Sequence, residues 1–364
     1  MYSSLKYIPS IFFKRDLLQF TFFVTSRCNA RCPFCFYWRN RHAKRDELTL
    51  EEIEKVSASM GGLLWLLFSG GEIYVRQDLP EIVETFYRNN RPVIITLPTN
   101  GVAPNLIIPK TERILRSCPE SAVVVKVSLD GPGEEHDRIR NTPGNYDKAM
   151  ETWEGLVELR ELHENLQIGI NTVFCRENQD MMDDIIDFVD TLPRCETHTI
   201  SLIRGNPASD EHKEVDLDKY RQAIARLERD LKGGNGKMYH FSLAPVKTAQ
   251  DLVQRRLIYE TARQSRRLLP CFAGRITAVM TEEGDIFPCE MLSDSMGNVR
   301  DAGYDLMKVF RSEEADNVRS LINRTKCYCS HECYFVTNIL FNPLMLGQVA
   351  RQYLELAAGR SRPA

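Results

Sequence analysis

Three cysteines near the start of the chain, Cys28, Cys32 and Cys35, have the spacing of iron–sulfur ligands. They follow the apolar run 20–25, so we expect them on a loop that leaves a strand. Three thiolates can bind three irons of a cubane cluster, which leaves the fourth iron without a protein ligand. The spacing therefore predicts a 4Fe–4S cluster with one iron open to a substrate or a cofactor.

Two other metal sites use cysteines in a similar way, namely a zinc site and a closed ferredoxin-type cluster. Zinc would need a fourth Cys or His nearby. The nearest candidate is His42, which stands in the basic run 39–45, a pattern typical of a solvated loop. The cysteines alone favour the open cluster without excluding these alternatives.

A second motif, Gly70-Gly71-Glu72, stands at the end of the apolar run 63–68. Glycines let the backbone approach a ligand closely, and the Glu72 carboxylate can bind an ammonium group. On its own the motif could equally be an ordinary turn between a strand and a helix. The motif ends the next apolar run after the cysteine loop, and this position, together with the cysteines, favours a functional role.

The cysteine triad, the aromatic Phe34 before its third cysteine and the Gly-Gly-Glu motif together resemble the radical S-adenosylmethionine (radical SAM) superfamily. In that superfamily SAM chelates the open iron through its amino and carboxylate groups, and an electron from the cluster splits SAM to give a 5′-deoxyadenosyl radical. The resemblance implies that Phe34, Gly70, Gly71 and Glu72 belong to the SAM site. It also implies a flavodoxin- or ferredoxin-type electron donor.

The stretch 128–131, Ser-Leu-Asp-Gly, followed by 136–140, His-Asp-Arg-Ile-Arg, resembles radical SAM enzymes that carry SPASM or twitch extensions. There the serine, here Ser128, reaches the SAM ribose, and the arginine that corresponds to Arg140 meets the SAM carboxylate. The alternative is a plain turn followed by a surface arginine. Weaker candidates for lining the pocket are Asn171, Thr172, Arg204 and Gly205, and Thr99-Asn100-Gly101 resembles a structural turn; no catalytic residue stands out.

Five more cysteines lie in the last quarter of the chain: Cys271, Cys289, Cys327, Cys329 and Cys333. Alternating residues around the turn 283–285 predict a β-hairpin whose ends bring the first two together. Their order resembles the twitch and SPASM extensions, which implies an auxiliary 4Fe–4S cluster. A complete SPASM module has a longer final cysteine series, so we expect one auxiliary cluster. Which of Cys327, Cys329 and Cys333 supply its remaining ligands is left open. A structural zinc site is the alternative.

Six strand-like apolar runs alternate with helix-like stretches, which predicts an α/β fold with a parallel sheet. The strand-like runs are 20–24, 63–68, 93–97, 122–129, 167–174 and 197–203, and the helix-like stretches are 50–60, 79–89, 111–116, 146–163 and 180–192. Six such units form a partial (β/α)6 barrel, the fold that the resemblance also implies. In parallel sheets, ligands gather at the carboxyl ends of the strands, where the candidate residues fall.

The sequence also predicts a division into four parts. These are an N-terminal extension (1–19), the barrel core (20–232), a linker and helix (233–270) and an auxiliary-cluster domain with a hairpin and a helix (271–364). The glycine-rich break 233–236 marks the edge of the core. A helical stretch, 248–268, is dense in arginine, and we expect its charges on a solvated face. Two further helices are expected, at 216–231 and at 304–323.

The composition disfavours several kinds of partner. A net charge of −3 and the lack of a nucleic-acid-binding motif argue against nucleic acid. Pro9 interrupts the apolar patch 7–13, so we expect no signal peptide. The longest uncharged run, 333–350, contains Asn, Pro and Gly, which favours a buried helix pair over a transmembrane segment. Eleven cysteines without an export signal indicate metal ligation and a cytoplasmic location.

The expected reaction is hydrogen abstraction from a substrate C–H bond, followed by oxidation that the auxiliary cluster assists. Fewer than about 20 residues precede the first strand, too few for an independent peptide-recognition domain. We therefore favour a small-molecule substrate over a ribosomal peptide. The alternatives are a peptide-modifying maturase and a non-catalytic iron–sulfur or zinc protein.

Overall fold

The structure is a computed structural model, and it describes residues 2–40, 46–234, 236–240 and 244–360. Within these residues the strands are β1 (Gln19–Thr25), β2 (Trp65–Gly70), β3 (Ile94–Thr99), β4 (Ala122–Ser128), β5 (Leu166–Phe174), β6 (Thr197–Leu202), β7 (Thr277–Met280), β8 (Asp285–Phe287) and β9 (Gly297–Asn298). They form one sheet in the order β6-β5-β4-β3-β2-β1-β7-β8-β9. Neighbours from β6 to β7 are parallel, and β8 is antiparallel to β7 and β9.

Helices connect the strands and extend the fold at its C-terminal end. They are α1 (Leu50–Ala58), α2 (Leu79–Asn90), α3 (Pro104–Ser117), α4 (Glu134–Arg140), α5 (Asn145–Leu162), α6 (Met182–Thr191), α7 (Leu217–Lys232), α8 (Ala244–Gln264), α9 (Leu306–Phe310), α10 (Glu313–Thr325), α11 (Glu332–Leu340) and α12 (Pro343–Arg360). Short 3-10 helices occur at Ser4–Ile11, Trp38–Asn40, Ile73–Val75 and Asp210–Lys213.

The predicted partial barrel with a C-terminal hairpin and helix extension is confirmed. Strands β1 to β6 coincide with the six apolar runs, and every residue of β1 is buried. Burial on both faces explains why these strands are nearly continuous apolar runs in the sequence. The sheet does not close, because β6 stands at one edge and the C-terminal β9 at the other. The extension continues the sheet, since β7 pairs with β1.

Several helix predictions needed correction. Helix α3 begins at Pro104, earlier than predicted, because proline is tolerated in the first turn of a helix. Helix α4 was not predicted at all. The predicted single helix 304–323 is wrong: α9 and α10 are separate, because Ser312 caps α10 by accepting a hydrogen bond from the Ala315 N–H at 3.1 Å.

The last two helices, α11 and α12, pack into the core as a buried pair, as predicted. Phe335 and Ile339 of α11 and Met345 and Val349 of α12 belong to the main apolar cluster. In the described part of the chain, no single helix is long and apolar enough to cross a membrane. This pair, bent by 99°, passes the same test of length and composition only when taken together.

Candidate active site

A cavity of about 380 Å³ inside the curved sheet collects most of the residues singled out in the sequence. Lining residues from the barrel are Cys28, Cys32, Phe34, Cys35, Gly70, Gly71, Glu72, Ser128, Arg140, Asn171 and Arg204, and those from the C-terminal extension are Glu290, His331, Glu332, Cys333 and Val336. Two weaker candidates do not line it. The Thr172 hydroxyl donates to the Leu129 carbonyl at 2.6 Å, and Gly205 packs against Phe36.

The cysteine triad lies on the loop after β1. The Cys35 N–H donates to the Cys32 carbonyl at 3.2 Å, which tightens the turn. Phe34 is buried and packs with Ile139 in a small apolar cluster around this loop. Burial raises the pKa of Cys28 to about 11 and that of Cys35 to about 12. Metal binding must therefore displace the thiol protons.

The donor set of three thiols on one loop at the cavity wall fits a cubane cluster with one open iron. Among the described residues, no group of three His, Cys, Asp or Glu side chains is arranged to hold one ion. A tetrahedral zinc site needs its four donors around one ion. In a cubane the thiolates bind different irons and stand farther apart. His42, the zinc ligand considered from the sequence, lies outside the described residues.

Glu72 is a buried carboxylate at the cavity wall, only 2% exposed. It accepts hydrogen bonds from the Asn100 N–H at 2.7 Å and the Thr99 hydroxyl at 3.0 Å. Burial nevertheless raises the pKa of Glu72 to about 6. An ammonium group bound in the cavity would stabilise the ionised carboxylate.

The two glycines before Glu72 serve the packing of the chain itself. A Cβ at Gly71 would lie 2.1 Å from the Arg27 carbonyl oxygen, and one at Gly70, where φ is +114°, would lie 2.4 Å from the Thr25 carbonyl oxygen. The Gly71 N–H also donates to that Thr25 oxygen at 2.8 Å. These glycines allow a close approach to the backbone that enters the cysteine loop. Both also line the cavity, so the close approach to a ligand stays a prediction.

We expect Gly71→Ala to destabilise the protein and to reduce its iron content after reconstitution. The added methyl group must displace the Arg27 backbone, and overpacking of this kind costs about 1–3 kcal/mol. Thermal unfolding and iron analysis measure both effects. Gly61→Ala is the matched control, because a Cβ there meets nothing within 4 Å. Identical behaviour of the two variants would contradict this role of Gly71.

Arg140 is a buried cavity residue and not the surface charge considered as an alternative, since it is 6% exposed. Its Nη1 donates to Asp130 Oδ2 at 2.7 Å, and Asp130 Oδ1 accepts from the Val173 N–H at 2.8 Å. Although burial opposes it, the nearby Cys32 and Asp130 raise the pKa of Arg140. The Nε–H is buried without a hydrogen-bond partner among the described residues. Ser128 lines the same wall at the end of β4.

Among the cavity residues that the sequence analysis missed are Asn100, Lys126 and Arg255. The Asn100 amide nitrogen donates to Asn29 Oδ1 at 2.7 Å and lies 3.8 Å from Cys28 Sγ, so this side chain joins the turn after β3 to the cysteine loop. Lys126 could have been identified from the sequence, because it is a charged residue within the otherwise apolar run 122–129. Arg255 corrects the prediction of a solvated arginine face on α8, because it lines the cavity.

The five C-terminal cysteines divide into four and one. Burial, and then the neighbouring thiols among Cys271, Cys327 and Cys329, raises the pKa of Cys289 and Cys329 to about 12. These electrostatic effects connect Cys289 with Cys271 and Cys329, and Cys329 with Cys271 and Cys327. Cys333 instead lines the cavity between β4 and α11.

Two protein-family models match this chain. The model of the radical SAM superfamily matches residues 22–189, and that of SPASM, an iron–sulfur cluster-binding domain, matches residues 271–334. With the partial barrel and its cysteine-lined cavity, they define a SAM-dependent iron–sulfur enzyme. The chain therefore carries a radical SAM domain and a C-terminal SPASM domain. Its cofactors are a SAM-binding 4Fe–4S cluster, SAM and auxiliary iron–sulfur.

Similar proteins act on different kinds of substrate. Fe-coproporphyrin III synthase of Methanosarcina barkeri is 31% identical over 216 residues, 57% of this chain but only 50% of that protein. AdoMet-dependent heme synthase of the same organism is 25% identical over 77% of this chain and 79% of its own length. The fold resembles that of SAM-bound SuiB of Streptococcus suis, with a TM-score of 0.61 at 15% identity over 86% of this chain and 70% of SuiB.

Proposed function

We propose that this protein cleaves SAM reductively and abstracts hydrogen from a C–H bond of a small molecule. The observation that carries the proposal is the one cavity shared by the cysteine triad, the Gly-Gly-Glu turn and Arg140. We assign Cys28, Cys32 and Cys35 as the ligands of the open cluster. When bound there, the cluster and SAM supply a 5′-deoxyadenosyl radical. The chain surrounds the reacting atoms and excludes water from them.

The side chains around the triad have suitable chemistry for SAM. Glu72 presents a carboxylate to the SAM ammonium group, and Arg140 presents its guanidinium to the SAM carboxylate. Asp130 fixes one edge of that guanidinium at 2.7 Å, which leaves the buried Nε–H for a ligand. Ser128 lines the wall where we place the ribose, and Phe34 packs behind the cysteine loop.

Arg140→Met is expected to weaken SAM binding about 10-fold or more, because a charge-assisted hydrogen bond is lost. The variant should also be destabilised by about 3–5 kcal/mol, since Asp130 is left buried and unpaired. Adding Asp130→Asn should restore most of the stability but not SAM affinity. Equilibrium dialysis and denaturant unfolding measure the two effects. Recovery of SAM affinity in the double variant would mean that Arg140 has only a structural role.

We further propose that Cys271, Cys289, Cys327 and Cys329 hold a single auxiliary 4Fe–4S cluster. The electrostatic effects among these four thiols support this ligand set, and Cys333 is set apart because it lines the cavity. Bound by these cysteines, the cluster would supply an acceptor for the one electron that the substrate loses in a two-electron oxidation, beside one hydrogen atom and one proton. Cys333 stays free at the cavity wall.

The substrate class and the cellular setting are also proposals. The names of the two Methanosarcina relatives refer to porphyrins, which are small molecules, whereas SuiB has been crystallised with its precursor peptide. We favour a small molecule on the 31% identity with Fe-coproporphyrin III synthase, which exceeds the 28% identity with PqqA peptide cyclase. We place the protein in the cytoplasm, supported by eleven cysteines free of disulfide bonds, with a flavodoxin or ferredoxin as electron donor.

Fractionated host extract distinguishes the two substrate classes. The holoenzyme, SAM and dithionite are incubated with the small-molecule fraction or with the peptide fraction. We expect the small-molecule fraction to increase 5′-deoxyadenosine formation. A mass change in a peptide that depends on SAM and on Cys35 would overturn the small-molecule proposal but leave SAM cleavage intact.

A further inference from the structure

The part of the cavity bounded by β4, β6 and α8 carries more positive than negative side chains. The cations are Lys126, Arg204, Lys237, Lys247 and Arg255, and the carboxylates are Asp251, Glu290 and Glu332. Three of the cations have carboxylate partners: Lys247 pairs with Asp251, Arg204 with Glu332 at 3.2 Å, and Lys237 with Asp190 at 3.7 Å. Lys126 and Arg255 form no ion pair within the ranges that the structure describes.

Lys126 projects from β4 into this region. It stands two residues before Ser128, so the two side chains leave the same face of the strand, about 7 Å apart along it. Its ammonium group donates to the Thr199 hydroxyl at 2.5 Å, its only hydrogen bond to a described residue. Burial lowers the pKa of Lys126. Lys126 is partly buried and lines the cavity, so its two remaining N–H groups are available to a ligand that accepts from them.

Arg255 approaches from α8. One nitrogen, Nη2, donates to the His198 carbonyl at 3.2 Å, whereas Nη1 is buried and has no partner among the described residues. His198 is 5% exposed, and its Nδ1 is likewise buried and unpartnered within the described chain. Burial lowers the pKa of His198 to about 3, so its ring is neutral. Among the described residues, Arg255 Nη1 is thus a buried donor without an acceptor. The neutral His198 ring donates through Nε2 to the Thr172 hydroxyl, whose own proton goes to the Leu129 carbonyl, so His198 Nδ1 is an acceptor.

We propose that Lys126 and Arg255 bind an anionic group of the substrate, a carboxylate or a phosphate. The inference rests on the proposed function, because it places the substrate beside SAM in one cavity. Asp251 is already paired with Lys247, so the charge of the two free cations is left for a ligand to neutralise. An anion bound by Lys126 would lie on the same face of β4 as Ser128, two residues before it along the strand. It would orient the remainder of the substrate toward the cysteine triad.

Anion binding to the SAM-loaded holoenzyme tests the proposal, with inorganic phosphate and succinate as the two probes. Calorimetry should detect binding to the wild type, and the stronger of the two probes identifies the kind of anion. Lys126→Met and Arg255→Met should each weaken this binding about 10-fold, the loss expected for one charge-assisted hydrogen bond. SAM affinity should stay within about two-fold of the wild type, since neither residue is placed at SAM. Lys219→Met, at an exposed lysine that pairs with Asp180, is the matched control.

Thermal unfolding shows whether each variant is folded. Phosphate or succinate should raise the Tm of the wild type and of Lys219→Met more than that of Lys126→Met. Equal anion affinity in the wild type and both cavity variants, or no binding to the wild type, overturns the inference. Displacement of the anion by SAM also overturns it, because the anion would then occupy the SAM site. Formation of 5′-deoxyadenosine without added substrate tests the proposed function separately.

Discussion

Cys32→Ala is expected to abolish reductive SAM cleavage, with 5′-deoxyadenosine falling to the level found without protein. Cys32 lines the cavity and is 8% exposed. Two remaining thiolates do not hold a cubane with one open iron. Anaerobic reconstitution followed by chromatography of the SAM products measures the effect.

The matched control for this prediction is Cys118→Ala. Cys118 is also buried, at 0% exposure, but it lies after α3 in the main apolar core and does not line the cavity. This variant should lose some stability and keep SAM cleavage. Near-normal 5′-deoxyadenosine formation by Cys32→Ala would refute the assignment of the triad.

The iron content of the chain is expected to fall by half when the N-terminal triad is replaced. The reconstituted wild type should hold about eight irons, and the Cys28/Cys32/Cys35 triple alanine variant about four. The remaining irons belong to the C-terminal site, which shares no ligand with the triad. Iron and zinc analysis of the two proteins measures this directly. Zinc in place of the residual iron would refute the auxiliary cluster and leave the SAM site untouched.

Within the C-terminal site, Cys329 and Cys333 should behave differently. In the triple-variant background, Cys329→Ser is expected to remove the residual iron, because its thiol is grouped with those of Cys271 and Cys327. Cys333→Ser should keep it, since this thiol lines the cavity. Loss of the residual iron in Cys333→Ser would place Cys333 among the ligands.

Much of the fold could be predicted because its information is local. The six barrel strands are buried on both faces, so each is an apolar run in the sequence. The start of α1 could also be predicted, because Thr49 and Glu52 form a capping box. The Thr49 hydroxyl accepts from the Glu52 N–H at 3.2 Å, and the Glu52 carboxylate accepts from the Thr49 N–H at 2.8 Å. The hairpin of β7 and β8 followed from its turn.

The details that escaped prediction depend on contacts between distant parts of the chain. Position 71 requires glycine because the Arg27 carbonyl lies beside it. The side chain of Asn100 is held by its hydrogen bond to Asn29 on the cysteine loop. Arg255 belongs to a helix whose charged pattern is typical of a solvated face, and only the packing of α8 across the barrel brings it into the cavity. No periodicity in the sequence carries that information.

Anaerobic incubation of the reconstituted wild-type protein with SAM and dithionite tests the central assignment most directly. We predict 5′-deoxyadenosine and methionine in equal amounts, because reductive cleavage of one SAM gives one of each. Protein that holds its full iron content and forms no 5′-deoxyadenosine would contradict it.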